Sequence, residues 1–204
     1  MSSAAERGLP ELVEDSRIDA IVHENITTHK SRFSRRGGPA LEKWLNVQLL
    51  GHGGDGVVTL ERRIEPSEPN QLRAVKRIRI DKGLSTQNHH HRRYIRELEA
   101  LAKFSQEKVC PSQQIVLRKS HALVQYSDSF VAFYGWYTCS QWLYISMEYC
   151  EDLDLGRYLR TYECLPEEQV KEITYQLLVG LVFMYESGFA HRDLKPAVSM
   201  VNPQ

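Results

Sequence analysis

No stretch of this chain stays apolar for long enough to cross a bilayer. The longest apolar run, Leu177–Tyr185, is nine residues and includes Gly180, against about 20 for a spanning helix. No charge of one sign dominates either. Lys+Arg and Asp+Glu are both 26, for a formal net charge of +0, which excludes the footprint of a dedicated nucleic-acid binder or a polybasic membrane binder. Cysteine is sparse: Cys110, Cys139, Cys150 and Cys164 are scattered without a CxxC pair and read as free thiols, not a disulfide frame. With 12 Gly and 8 Pro, neither a collagen nor a low-complexity linker fits. The first 25 residues carry Glu6, Glu11, Glu14, Asp15 and Asp19 around no apolar core. They resemble neither a secretory signal nor an acid-poor transit peptide, so a cytoplasmic or nuclear address is expected. What remains is ordinary globular material, 42% hydrophobic and 25% charged over 204 residues, or about one domain and a remainder.

Residues 1–40 are mixed in polarity and end in Ser34-Arg35-Arg36-Gly37-Gly38-Pro39, a flexible joint. Leu12, Val13, Ile18 and Ile21 offer a short helix, yet the stretch reads best as a loosely held N-terminal arm. From Trp44 the pattern changes. Leu45, Val47 and Leu49 alternate with Asn46 and Gln48 as in a strand, Val57-Val58-Thr59-Leu60 is β-branched, and Leu72–Ile80 makes a third strand, a meander. Residues 91–104 switch to helical spacing with Ile95, Leu98 and Ala102 on one stripe. Phe130–Tyr137 and Trp142–Tyr149 read as two more strands. Pro166-Glu167-Glu168 then opens a long helix whose Val170, Ile173, Leu177, Leu181 and Met184 keep one face, and Gly188 ends it.

Between the first two strands lies Gly51-His52-Gly53-Gly54-Asp55-Gly56. A GxGxxG cluster in a dinucleotide fold needs a helix directly after it. A strand-like run follows here, so the glycines predict a hairpin tip whose backbone N–H groups can approach phosphates. Ala74-Val75-Lys76 lies one strand on, Arg96-Glu97-Leu98 on the next helix, and His191-Arg192-Asp193-Leu194-Lys195-Pro196 beyond the long helix. Together with Val58, which completes GxGxxGxV, this order resembles the eukaryotic protein kinase family, and Lys195 places the resemblance on its Ser/Thr branch.

The resemblance covers residues 41 to about 196 and implies an α+β, protein-kinase-like fold. Its parts are a five-stranded antiparallel N-lobe sheet with one αC-type helix over 41–148, then a hinge and the start of a helical C-lobe over 149–204. It also implies ATP-dependent phosphoryl transfer to protein Ser/Thr hydroxyls, with ATP and a protein substrate as partners and no nucleic acid or membrane. Lys76 would neutralise the ATP phosphates and Glu97 would hold its ammonium. Glu99 is the competing acid but lies about 200° around the helix from Glu97. Leu50, Val58 and Ala74 would wall the adenine, with Gly51, Gly53 and Gly56 at the phosphates. Met147 would close the back of the pocket, Glu148 and Cys150 would pair their backbone with the adenine edge, and Asp154 would reach the ribose. Asp193 would orient the substrate hydroxyl and accept its proton, and Lys195 would balance γ-phosphate charge. His191, Leu101 and Phe133 match positions that stack between the lobes.

Four departures stand against the family pattern. Asp55 puts a carboxylate at the glycine-loop tip, facing phosphate oxygens unless it turns to solvent. Val198 occupies the HRDxxxxN position, where the family's Asn binds a metal ion. The 204 residues hold no Asp-Phe-Gly or Ala-Pro-Glu motif, so Mg²⁺ is expected of the complete family domain while its ligands are missing here. Residues 109–125 interrupt the link from the Glu97 helix to the next strand and read as an insertion or a retained intron. The expected outcome is a kinase chain inactive as written. The alternative is a pseudokinase-like module that binds a nucleotide or a protein without catalysis. The tract His89-His90-His91 reads as a solvated basic edge, because three consecutive helical residues cannot face one ion.

Overall fold

The computed structural model describes residues 8–31, 40–53, 56–66, 71–80, 89–106, 129–151, 154–162 and 164–196. Asp55, the 109–125 segment and Val198, singled out above, lie outside the described residues. The chain divides into two compact units. One is drawn from Met1–Lys103 with Ala132–Tyr149, the other from Phe104–Val131 with Cys150–Gln204.

The first unit is built on one antiparallel sheet of seven strands, two more than the sequence pattern suggests. In chain order they are β1 (Ala20–His23), β2 (Ile26–Lys30), β3 (Leu41–Gly53), β4 (Gly56–Glu65), β5 (Leu72–Arg79), β6 (Phe133–Cys139) and β7 (Trp142–Glu148). Their order across the sheet is β1-β2-β3-β4-β5-β7-β6. The additional pair comes from residues that composition assigns to the arm. A two-residue turn at Glu24 and Asn25, with Glu24 at φ 53°, folds β1 back on β2, and β2 pairs with β3 through Thr27↔Trp44 and His29↔Glu42. Thr27 and His29 alternate with more exposed neighbours, which is the period of a strand with one buried face.

The sheet curls until its ends meet. The Ile18 amide donates to the Trp136 carbonyl at 2.7 Å, and the Trp136 amide donates to the Ser16 carbonyl at 3.2 Å. Gly135, at φ 132°, makes this approach available: a Cβ there would stand 2.5 Å from the Ser16 carbonyl oxygen and 2.7 Å from the Ile18 side chain.

One face of the sheet carries the apolar core. Helix α1 (Leu9–Asp15) places Leu12 and Val13 in it, and α2 (His89–Gln106) places Leu98 and Ala102. Phe133, Leu143 and Ile145 complete the cluster from β6 and β7. The opposite face is polar yet equally buried. The Arg73 Nε and Nη2 donate to Glu61 Oε2 at 2.9 and 2.7 Å, and its Nη1 donates to His29 Nε2 at 2.8 Å. Its guanidinium carbon lies 4.0 Å from the centre of the Trp44 ring. Thr27 donates to the other Glu61 oxygen at 3.1 Å, and the Tyr137 ring stacks on Tyr144 at 4.8 Å.

The second unit contains α3 (Leu155–Tyr162) and α4 (Glu167–Glu186). Acidic Glu167 and Glu168 sit in the first turn of α4, where they complement the helix dipole. Gly188, at φ 77°, ends that helix. Its amide donates to Tyr185 at 3.0 Å, and the Phe189 amide donates to Met184 at 2.8 Å, a Schellman ending. Phe104 gathers Phe130, Phe183 and Phe189 around it, with ring centres 4.6, 5.6 and 5.1 Å away. That cluster fixes where the segment after α4 begins.

Candidate active site

The site residues of the first unit start from strand alternation. Ala74 and Lys76 are two apart on β5 and therefore share a face. Directly opposite partners share it too, so Val58, which pairs with Lys76, and Met147, which pairs with Ala74, join them. That face is the one α2 covers, because Ile145, the other partner of Lys76, is fully buried in the core with Leu98.

From α2 the Glu97 carboxylate reaches this face. Lys76 Nζ donates to Glu97 Oε1 at 2.6 Å, with side-chain exposures of 20% and 33%. Part-buried pairs of this kind are screened less by solvent than fully exposed ones, and the hydrogen bond is charge-assisted. The acid that meets Lys76 is Glu97 and not Glu99.

The glycines occupy the β3–β4 tip. Gly51 pairs with Val58 and Gly53 with Gly56. Gly56 stands at φ 138°, and a Cβ on it would overlap the carbonyl oxygen of Arg77. Only glycine fits there without moving β4 or β5. A Cβ at Gly51 would meet nothing within 4 Å, so its lack of a side chain answers to no protein neighbour. Leu50 is half-buried on β3.

Glu148 ends β7, and its carboxylate is already engaged: Oε2 accepts from the Ala132 amide at 2.9 Å, while its own amide donates to the Ala132 carbonyl at 2.8 Å. These bonds fix the chain at Glu148, the first residue that the resemblance assigns to the adenine edge.

In the second unit, Cys150 is half-buried and forms no disulfide. Asp154 caps α3, its Oδ1 accepting from the Arg157 amide at 2.9 Å and its Oδ2 lying 3.6 Å from Arg157 Nε. The capping role was not read from the sequence, although Asp three residues before Arg157 is a helix-start signal. Residues 191–196 are all exposed. Lys195 Nζ donates to Asp193 Oδ2 at 2.8 Å, and the Asp193 amide donates to His191 Nδ1 at 3.4 Å. Arg192 holds φ 61°, a left-handed backbone unusual for a side chain of its size. The turn it makes puts Asp193 and Lys195 side by side. Of the two residues matched above to stacking positions, Phe133 belongs to the core of the first unit and Leu101, partly buried, packs against that core.

The polar cluster on the opposite face was not anticipated. Its members alternate with buried apolar residues along the strands, and polar alternation ordinarily marks a face in water. His29 shows the cost of that burial. Desolvation, opposed by its bond to the Lys30 carbonyl, holds its pKa below the usual 6.5, with Arg73 lowering it further and Glu42 and Glu61 raising it. Arginine is a donor only, so His29 Nε2 accepts from it and Nδ1–H donates to Lys30 at 3.0 Å, which requires the neutral ring. Burial likewise raises the Tyr137 and Tyr144 hydroxyls.

A family profile described as "Protein kinase domain" matches residues 44–204. Among curated proteins, the chain is 26% identical over 156 residues to "Serine/threonine-protein kinase ICK" of Rattus norvegicus, covering 76% of this chain and 20% of that protein. It is 30% identical over 157 residues to "Mitogen-activated protein kinase 3" of Arabidopsis thaliana, covering 75% and 35%. "MAP kinase kinase kinase mkh1" of Schizosaccharomyces pombe is 28% identical over 180 residues, covering 88% and 14%. The chain belongs to the protein kinase family, on its Ser/Thr side. It spans between about a seventh and a third of the length of these relatives. Members of this family use ATP and Mg²⁺. No helix among the described residues is long and apolar enough to cross a membrane.

Proposed function

We propose that this chain binds ATP in the manner of a protein Ser/Thr kinase, with Lys76 and Glu97 as the phosphate-side pair. The observation that carries the reading is the 2.6 Å contact between Lys76 Nζ and Glu97 Oε1. It joins two residues 21 apart in sequence through a strand and a helix, and it leaves the ammonium oriented and partly desolvated. The residues fit a nucleotide. A glycine tip with no Cβ at Gly51 and an obligatory glycine at 56 lets backbone amides approach phosphate oxygens. Leu50, Val58, Ala74 and Met147 offer apolar walls, while the backbone of Glu148 and Cys150 would serve the adenine edge and Asp154 the ribose.

Bound ATP would supply the transferable phosphoryl group. This chain's own residues would hold and orient it. Asp193 would receive the proton of a protein hydroxyl at its carboxylate, and Lys195, already beside it, would keep that carboxylate from drifting. A cytoplasmic or nuclear address is part of this reading, and Cys139, Cys150 and Cys164, none of them in a disulfide, are compatible with it.

Position 198 holds valine, whose side chain cannot ligate Mg²⁺. That valine favours a second reading, a pseudokinase-like module that binds nucleotide or protein without transfer. Phosphoryl transfer depends on charge stabilisation, and losing about 4 kcal/mol of it slows turnover about a thousandfold. The test is radiolabelled phosphate incorporation into a basic protein by the purified 204-residue chain. Background incorporation is expected. Incorporation that Asp193→Asn removes would show that Val198 does not disable transfer.

A further inference from the structure

The kinase profile begins at residue 44, yet residues 9–18 are built into the unit that holds Lys76 and Glu97. Nothing in the family match assigns them a task. Leu12 and Val13 of α1 are 4% and 7% exposed and lie in one cluster with Leu98 and Ala102 of α2. Leu9 packs on the same cluster, as do Tyr94 and Leu101, which lie three residues before and four after Glu97. The helix that carries Glu97 therefore shares one apolar core with α1 and with β6 and β7.

Four hydrogen bonds lock α1 in turn. Trp136 Nε1 donates to the Val13 carbonyl at 2.7 Å, and Ser16 Oγ donates to the same carbonyl at 2.6 Å. The Ile18 amide to Trp136 and the Trp136 amide to Ser16 complete the clamp on β6. Gly135 leaves the room it needs. The Ser16 amide also donates to the Val13 carbonyl at 3.1 Å, so three donors converge on it, and losing one costs the bond and leaves a half-buried or buried donor to find another partner.

We propose that α1 is a positioning element for the nucleotide site: Leu12 and Val13, clamped to β6 through Trp136, hold α2 at the depth at which Glu97 reaches Lys76. Glu97 sits next to Leu98 in sequence, so a shift of Leu98 moves its carboxylate by a similar distance. A pair at 2.6 Å does not survive a displacement of an ångström or more as a direct hydrogen bond. The proposal rests on the nucleotide-site reading above for its consequence, though not for its mechanics.

The test has two arms on the purified 204-residue chain. In the first, amide hydrogen exchange compares wild type with Leu12→Ala, Leu12→Met and Trp136→Phe. Leu12→Ala is expected to speed exchange over 94–102 by about tenfold, while peptides from β3, β4 and β7 keep their wild-type rates, because local opening of α2 and not global unfolding is affected. Leu12→Met restores slow exchange. Trp136→Phe keeps most of the ring, removes the indole donor and gives the same selective pattern at smaller amplitude. It decides the matter if Leu12→Ala does not fold. Exchange over 94–102 unchanged in both variants overturns the proposal, as does equal acceleration of sheet and helix. In the second arm, MANT-ATP affinity is expected to fall in Leu12→Ala toward that of Glu97→Ala. If wild type binds no MANT-ATP while α2 still loosens selectively, the nucleotide-site reading fails and the mechanical role stands. If wild type binds and Leu12→Ala binds equally well, the positioning role fails alone.

Discussion

Replacing Arg73 by leucine should destabilise this protein more than any single change at the candidate site. Arg73 is 1% exposed and Glu61 4%. The substitution deletes two hydrogen bonds to Glu61 Oε2 and one to His29 Nε2, and lifts the cation from the Trp44 ring. Glu61 keeps the Thr27 hydroxyl at 3.1 Å in this cluster. Breaking a buried pair by removing one partner costs about 3–5 kcal/mol, because the remaining charge is left without compensation. Urea unfolding followed by tryptophan fluorescence measures it, and Trp44 beneath the guanidinium makes the signal local. The double variant Arg73→Leu with Glu61→Leu should recover much of the loss, since removing both charges removes the desolvation cost as well. A single-variant loss under about 1 kcal/mol, the range of exposed pairs, would refute the reasoning, and so would a double variant worse than the sum of the singles.

Other expectations follow from the same geometry. The His29 pKa is lowered mainly by burial, so the folded state binds fewer protons than the unfolded one. Its contribution is full above about pH 6.5 and declines as pH falls below it toward the folded value. Urea midpoints at pH 7.5 and 5.5 should differ, and His29→Gln, which keeps an acceptor for Arg73, should narrow the difference. Gly56→Ala should destabilise the first unit and abolish nucleotide binding, because its Cβ overlaps the Arg77 carbonyl; a thermal melt and MANT-ATP titration report both. Leu178, Val182 and Tyr185 of α4 are 55%, 51% and 82% exposed, so the 204-residue polypeptide should self-associate in light scattering. Leu178→Glu with Val182→Lys should reduce the scattering.

The local signals were strong where residue identity dictates geometry. The glycine run followed by β-branched residues reads directly as a hairpin tip, since only Gly tolerates φ 138° against the Arg77 carbonyl. Lys76 and Glu97 were legible as a pair because their motifs resemble those of the protein kinase family, and the helix period favoured Glu97 over Glu99. The N-terminal residues were not. Thr27 and His29 look like a polar strand edge or a linker, and their burial depends on Arg73 and Glu61, more than 30 residues away. No local propensity encodes such a partner. Likewise Leu12 and Val13 offered a short helix in an acidic stretch, but nothing local showed what it packs against, because its place is set by Trp136. Asp154 as a cap of α3 was visible in principle but was read only for its carboxylate.

The proposed function stands or falls with the Lys76–Glu97 pair as the phosphate side of a nucleotide site. Isothermal titration of the purified chain with ATP, with and without Mg²⁺, tests it most directly. Saturable but weak binding is predicted that changes little when Mg²⁺ is chelated and disappears in both Lys76→Met and Glu97→Ala. Binding that neither substitution weakens, or that appears only with Mg²⁺, would contradict the account.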